Sequence, residues 1–460
     1  MKTSRTVLTA LALAFCLTAG AQRNQIIKTG WNIGPLPAIA YDADKGFQFG
    51  AILQLYNYGD GSSYPNYKSK WYLESSFFTK GSQLYTIMYD NMDLFNGIRM
   101  SAAATASIDK AMDFYGFNGY ESFYDYGRIA AGSSGESFLF SPFYKIARTQ
   151  ILSKIDFTGE LAENLKWEVG YHASYFKIGS INRESINKGK DESQCFPEDQ
   201  PTLYDLYKKW GLIGENEAEG GFVSALRFGL QYDTRDKEGA PTRGIWADAH
   251  MIVAPKFLGT KNPYNRYSLT WRQYFPLIDN NILTLAYRLN YQGIIGKNAP
   301  FYILPYQTFI GESSDKDGFG GYRTVRGILR DRVSGLDTFC YNAELRWRFV
   351  QFQLWRQNIS FGLSVFSDGT MVTRGRKMDY AGPTGGDYLQ EMMEHLSYRK
   401  QGADETIHAT VGAGLRFIMN ENFIVAFEYG TPISNFYSRT SPLYRQDGPG
   451  AFYINTGYLF

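Results

Sequence analysis

The chain has 460 residues, 47 of them basic and 45 acidic, and it carries 35 Tyr and 33 Phe. A balance this close to neutral gives no reason to expect a polyanion or a strongly acidic partner, so no nucleic-acid partner is expected. Three cysteines are too few for a disulfide framework, and after the N-terminus no stretch reaches the roughly 18 apolar residues of a membrane helix.

Lys2 and Arg5 precede an apolar run, Val7 to Leu17, followed by Ala19-Gly20-Ala21. That order of charge, apolar run and small residues reads as a signal peptide over 1–21. Phe15 is too bulky for a lipoprotein cleavage site, so Cys16 is expected to leave with the signal. Cleavage also removes two bases, leaving 45 of each sign, and two cysteines, Cys195 and Cys340. These either form one bridge or stay free thiols.

The remainder, 22–460, alternates. Strands are expected near 30–41, 47–58, 67–79, 83–91, 98–108, 144–158, 165–178, 221–233, 244–254, 266–275, 282–294, 338–350, 358–369, 406–418, 423–433 and 451–460. The period of two is clearest late in the chain. Phe339, Tyr341, Ala343, Leu345, Trp347 and Phe349 make one face; Cys340, Asn342, Glu344, Arg346 and Arg348 make the other. Such runs are half apolar, half wet, and of bilayer-crossing length at a tilt. With 17% aromatic residues available for interfacial girdles, the fold class is an all-β, 16-stranded antiparallel transmembrane barrel of the outer membrane.

Connections alternate too. Short turns, as near 161–165, 278–281 and 420–422, alternate with long inserts at 109–143, 179–220, 295–337 and 370–405. Short turns face the periplasm in such barrels and long loops face outward. Two inserts carry helical spacing: Leu203, Leu206, Tyr207 and Trp210 in one, and Leu389, Met392, Met393 and Leu396, with Asp387 and Gln390 as a capping box, in the other. Packing against the barrel rim is their expected role.

The sixth outer loop contains "GYRTVRGILR", residues 321–330. Strand parity turns Glu344 and Asp368 inward on the two strands that follow. A loop folded down the lumen would bring Arg326 between these carboxylates, and a guanidinium fork bonds a carboxylate bidentately. Gly327 permits a tight turn beside it. At the other end, Pro35 and Pro37 remove two N–H donors from one edge of the first strand. Either that edge weakens barrel closure or the strand begins after Pro37.

These residues resemble the BamA/TamA outer-membrane assembly superfamily, also called bacterial surface antigen. The matching pieces are Val325-Arg326-Gly327 in a long loop before Asn342, Glu344 and Arg346, then "FSDGT" at 366–370. "YDTRDKEGAPTRG" at 232–244, "PLPAIAYDADKGFQFG" at 35–50, "FYGFNG" at 114–119 and a closing "NTGYLF" with Gly457 and terminal Phe460 are similar to family elements. Ile328 replaces the family's usual aromatic. The resemblance implies a lumen-held Arg326 with acid partners Glu344 and Asp368. It also implies a lateral seam between the first strand, with Pro35 and Pro37, and the last, with Gly457 and Phe460. Residues 22–29 leave no space for POTRA domains, so a barrel-only member is expected.

The function this implies is assistance in assembling or inserting outer-membrane proteins, as an accessory or complex subunit. Its partners would be outer-membrane lipids, other assembly components and client barrels. A passive pore or small-solute transporter, or a structural surface subunit, is the alternative. No enzyme activity, cofactor or metal is expected. His172, His250, His395 and His408 are scattered, "DKDG" at 315–318 lacks the ligands of a calcium loop and reads as a solvated turn, and "AGSSGES" at 131–137 is not G-x-S-x-G.

Overall fold

Sixteen strands join in one antiparallel sheet in which every neighbour in sequence is a neighbour in space. They are β1 (Trp31–Asp42), β2 (Gly46–Asn57), β3 (Ser69–Phe78), β4 (Gln83–Phe95), β5 (Ile98–Asp113), β6 (Lys145–Ala162), β7 (Leu165–Gly179) and β8 (Gly220–Asp233). The second half is β9 (Gly244–Ala254), β10 (Tyr264–Ile278), β11 (Leu283–Ile295), β12 (Asp337–Leu354), β13 (Gln357–Arg374), β14 (His408–Met419), β15 (Phe423–Pro432) and β16 (Ala451–Thr456). The computed structural model describes residues 26–42, 46–122, 124, 141–278, 282–310, 315–316, 318–378, 404–421 and 423–460. The signal-peptide segment, "AGSSGES", His395 and the Leu389–Leu396 stripe lie outside the described residues.

Parity decides what each strand presents. Leu363, Val365, Val411, Leu415, Phe427 and Tyr429 are exposed on the outer face, while Glu344, Asp368, Arg416 and Glu428 on the alternate positions are buried. A strand's side chains point to opposite faces in turn, so an apolar–polar alternation becomes a lipid-facing wall around a polar interior. The interior is packed with charge: Arg227, Arg272, Arg288, Arg326 and Arg332 are among the largest fully buried side chains.

At the rim carrying the long loops, aromatic residues build a second core. Phe114, Phe143, Leu203, Tyr207, Trp210 and Phe301 bury together. Phe114 meets Tyr207 edge to face with centroids 5.6 Å apart, an arrangement worth about 0.5–1.5 kcal/mol beyond area. The helix Leu203–Lys209 starts at a capping box of Thr202 and Asp205 and turns its apolar stripe into this core. The stripe is therefore rim packing.

Two expectations need correction, and one open alternative is resolved. The last strand ends at Thr456 rather than running to 460. The "DKDG" segment begins in a short ladder, with Asp315 and Lys316 paired to Thr308 and Gln307, because the inward loop supplies a backbone partner. Both alternatives for the first strand resolve one way: β1 starts at Trp31 and pairs Pro35 with Leu53 and Pro37 with Ala51. Cys195 and Cys340 are free thiols.

Candidate functional site: a clamped loop beside an unpaired seam

The loop between β11 and β12 descends into the barrel. Its Phe319, Val325, Ile328 and Val333 bury against Cys340 of β12 and Val372 of β13. Asn342 donates its side-chain amide to the Thr324 carbonyl at 2.8 Å. Gly327 has φ +102°, and a Cβ there would stand 2.7 Å from the Gly430 backbone of β15. Glycine is thus required twice, for its backbone conformation and for contact with the wall.

Arg326 is fully buried. Its Nε and Nη2 donate to the two oxygens of Asp368 at 2.8 and 3.0 Å, and its own backbone N–H donates to Oδ2 at 3.0 Å. Nη1 donates to Glu428 Oε1 at 2.7 Å. The Phe366 ring lies under the guanidinium, 3.5 Å from its carbon, adding a cation–π contact in a dry setting. Burial opposes the charge, but Asp368, Glu428 and Glu344 outweigh it and hold the guanidinium's pKa above its ordinary value.

Both expected acids are ion-pair partners of Arg326, at different distances. Asp368 is the bidentate partner. Glu344 Oε2 stands 3.7 Å from Nη1, beyond hydrogen-bond length. Glu344 is claimed instead by Arg416 and by Arg346, the latter at 3.5 Å. Arg416 also reaches Glu428 at 2.6 Å. The cluster is three arginines against three carboxylates drawn from β12, β13, β14, β15 and the loop, so each buried charge has an opposite neighbour. Val325 is buried in the apolar cluster beside it.

The seam lies next to this cluster. β1 and β16 end the sheet and share no ladder with each other. Gly30 accepts from the Tyr58 N–H at 2.9 Å, so even-numbered β1 residues turn their main-chain groups toward β2. Odd-numbered residues, Pro35 and Pro37 among them, face the free edge, where each proline removes a donor.

β16 is short because Gly457, at φ +82°, turns the chain out of the sheet. The last four residues enter the lumen. The Phe460 carbonyl accepts from Arg346 Nη2 at 2.9 Å, and the Phe460 ring packs with Tyr274 and Ala286. Tyr458 lies against Arg346 and Arg416, 4.1 and 4.8 Å from ring centre to guanidinium carbon. Gly457 lines the same cavity as Pro37 at the point where β16 ends, whereas Phe460, expected in the wall, is turned into the lumen, where buried arginines offer the terminal residues partners that lipid cannot. Arg346 links this tail to Glu344. Tyr453 of β16 accepts the Gly327 N–H at 2.9 Å, so the last strand touches the clamped loop directly.

Over residues 103–460 the chain matches the Omp85 superfamily domain. The chain belongs to the Omp85 superfamily. No curated protein matches it. Among solved structures, BamA from Haemophilus ducreyi lacking POTRA domains 1–3 aligns with 16% identity and a TM-score of 0.49, covering 93% of this chain and 70% of that one. CdiB from Escherichia coli gives 10% and 0.49 over 95% and 63%, and CdiB from Acinetobacter baumannii 12% and 0.43 over 94% and 60%. The chain thus spans less than two thirds of either CdiB.

In this Omp85 barrel the motif at 232–244 closes part of the short-turn rim. Asp233 pairs bidentately with Arg235 at 2.8 and 2.6 Å, and Arg235 stacks 3.8 Å over Trp246. Asp236 accepts from the Thr242 N–H at 2.9 Å and hydroxyl at 2.6 Å, which folds the turn on itself. The folded turn reaches two walls. Glu238 meets Arg99 of β5 at 3.0 Å, and Lys237 meets Glu421 of the β14–β15 turn at 3.3 Å. Ala240 buries against Ile418 and Ile424. Burial would raise the Glu421 carboxyl, but Arg348 and Lys237 hold it below its ordinary range.

Reasoning from sequence missed Glu428, Arg416 and Tyr453 as parts of the site. Each sits on the inward parity of its strand; Glu428 lies between the outward Phe427 and Tyr429. It also missed a buried knot at the long-loop rim. There Tyr120 stacks on His408 with centroids 3.7 Å apart and donates its hydroxyl to Asp447 at 2.5 Å. His408 bonds the other oxygen of Asp447 at 2.5 Å.

Proposed function

We propose that this chain is an outer-membrane barrel that assists assembly or insertion of outer-membrane proteins, as an accessory or complex subunit, without an enzymatic step. One observation carries the reading: the first and last strands face each other without a shared ladder. An unpaired strand edge is a template for an incoming strand. Prolines on the β1 side and a shortened β16 leave few main-chain bonds to break on opening, and the clamp keeps the adjoining wall rigid while the edge is used. Omp85 membership supports the assembly class over an unrelated channel.

A passive pore is the second reading. The inward loop, the lumen tail and the aromatic core above them weigh against it, since each occupies space that a solute would need.

Site-specific photocrosslinking from Ile33 and Ile39 on β1 in native membranes is the test. Crosslinks to nascent outer-membrane barrels or to assembly components are expected. Large steady single-channel currents from the purified chain, with no crosslinked protein, would replace this reading with the pore.

A further inference from the structure

We propose that the lumen cavity behind the seam receives the phosphate-bearing head of an anionic lipid, which enters between β1 and β16 with its acyl chains left in the bilayer. This stands apart from the assembly role and needs only the open edge. The cavity has a volume of about 530 Å³. That is the size of a small-molecule site and suits a glycerophosphate head rather than a whole two-chain lipid.

Its walls identify the route. On β1 the cavity is lined by Leu36 and Ala38 and also by Pro37 and Ile39. Neighbouring residues of one strand point to opposite faces, and Ile39 is 46% exposed on the lipid side. A space that also touches Pro37 and Ile39, whose main-chain groups face the free edge, reaches the gap beside β1. On the far side of the gap it is lined by Val425 and Ile454, so the passage is apolar at its mouth.

Inside, the lining turns cationic. Lys70 of β3, Lys154 of β6, and Arg323 and Arg330 of the clamped loop line the cavity, against one carboxylate, Glu74. Glu74 already accepts from the Tyr72 hydroxyl at 2.6 Å, Ser76 at 2.7 Å and Gln48 at 3.2 Å. Lys154 pairs with Asp156 at 3.0 Å and Arg330 with Asp331 at 3.6 Å, yet neither aspartate is among the residues lining the cavity. Four cationic side chains against one carboxylate give the lining an excess of positive charge, and low-dielectric walls strengthen its pull on an anion. An apolar slot leading to a cationic recess, opening on lipid, fits an anionic amphiphile.

The full chain would be reconstituted into phosphatidylcholine vesicles containing a phosphatidylglycerol with a photoreactive head. Labels would then be mapped by mass spectrometry. Labelling of the lumen segments around Tyr322 and Lys70 is expected. It should fall about tenfold in K70Q/R323Q, the loss of two cations from an anion site. It should fall similarly in Leu36→Trp, which narrows the slot without altering charge. Both variants must keep wild-type heat-modifiable mobility; if K70Q/R323Q does not, Leu36→Trp alone decides. Labels confined to outward residues such as Ile33 and Ile39 would overturn the proposal. So would lumen labelling unchanged in Leu36→Trp. Loss of label on adding inorganic phosphate would make this a soluble-anion site, and loss on adding a strand peptide a peptide site; either result overturns the lipid assignment.

Discussion

Arg326→Ala removes three charged hydrogen bonds at once, two to Asp368 and one to Glu428. The acids do not suffer equally. Glu428 keeps Arg416 at 2.6 Å and Asn455 at 3.0 Å, and Glu344 keeps Arg346 and Arg416. Asp368 keeps the residue-326 backbone N–H but loses both guanidinium bonds, and it is fully buried. Breaking a dry ion pair from one side costs about 3–5 kcal/mol, a factor of roughly a hundred to a few thousand in the loop's bound population. Arg326→Lys keeps the charge but not the fork, so its loss should be intermediate. The double variant R326A/D368N should lose less than the two single losses summed, because no charge is left stranded. The assay is the heat-modifiable transition of the barrel together with trypsin cleavage after Arg323 and Arg330, run on all four variants. Wild-type melting and protection in R326A would refute the clamp, and strict additivity would show that Arg326 and Asp368 do not act as a pair.

Gly327→Ala should expel the loop, since φ +102° alone costs about 1–3 kcal/mol and the added Cβ meets the Gly430 backbone at 2.7 Å; trypsin susceptibility of the loop reads it. Gly457→Ala should be milder, because nothing lies within 4 Å of its Cβ and only the backbone term of about 1–2 kcal/mol remains; the melting transition compares the two. Glu421 has a carboxyl depressed from its ordinary 4.5, so its contribution is complete above that value and fades as pH falls through the lower folded one. Cleavage of the 234–243 turn by an acid-tolerant protease should therefore rise below about pH 4.5, and less so in Glu421→Gln, which has no such proton to gain. Pro35→Val with Pro37→Val restores two N–H donors to the free edge of β1. Slower amide exchange across β16 and fewer β1 crosslinks are expected.

Most of the wall was legible because a one-sided environment writes itself as a period of two. Spans such as 244–254 agree with β9 residue for residue. The failures have physical causes. β12 and β13 run to Leu354 and from Gln357 through a two-residue turn of Trp355 and Arg356, at φ 47° and 60°. Nothing in Trp-Arg signals a turn that usually takes Asn-Gly. The closing strand was read too long because Tyr458 and Phe460 keep a wall-like alternation while their partners, Arg346 and Arg416, are distant in sequence. Asp368 and Glu344 were readable from parity next to the loop. Glu428 is equally inward, but its distance from the motif gave no reason to join them.

The folded turn at 232–244 grips β5 through Arg99 on one side of the gap and the β14–β15 turn through Glu421 on the other. Lys28 adds a second tie across the gap, donating to the Arg356 carbonyl at 2.7 Å. Both ties sit at the end where the polypeptide starts. Any separation of the two terminal staves must therefore either break these ties or pivot about them.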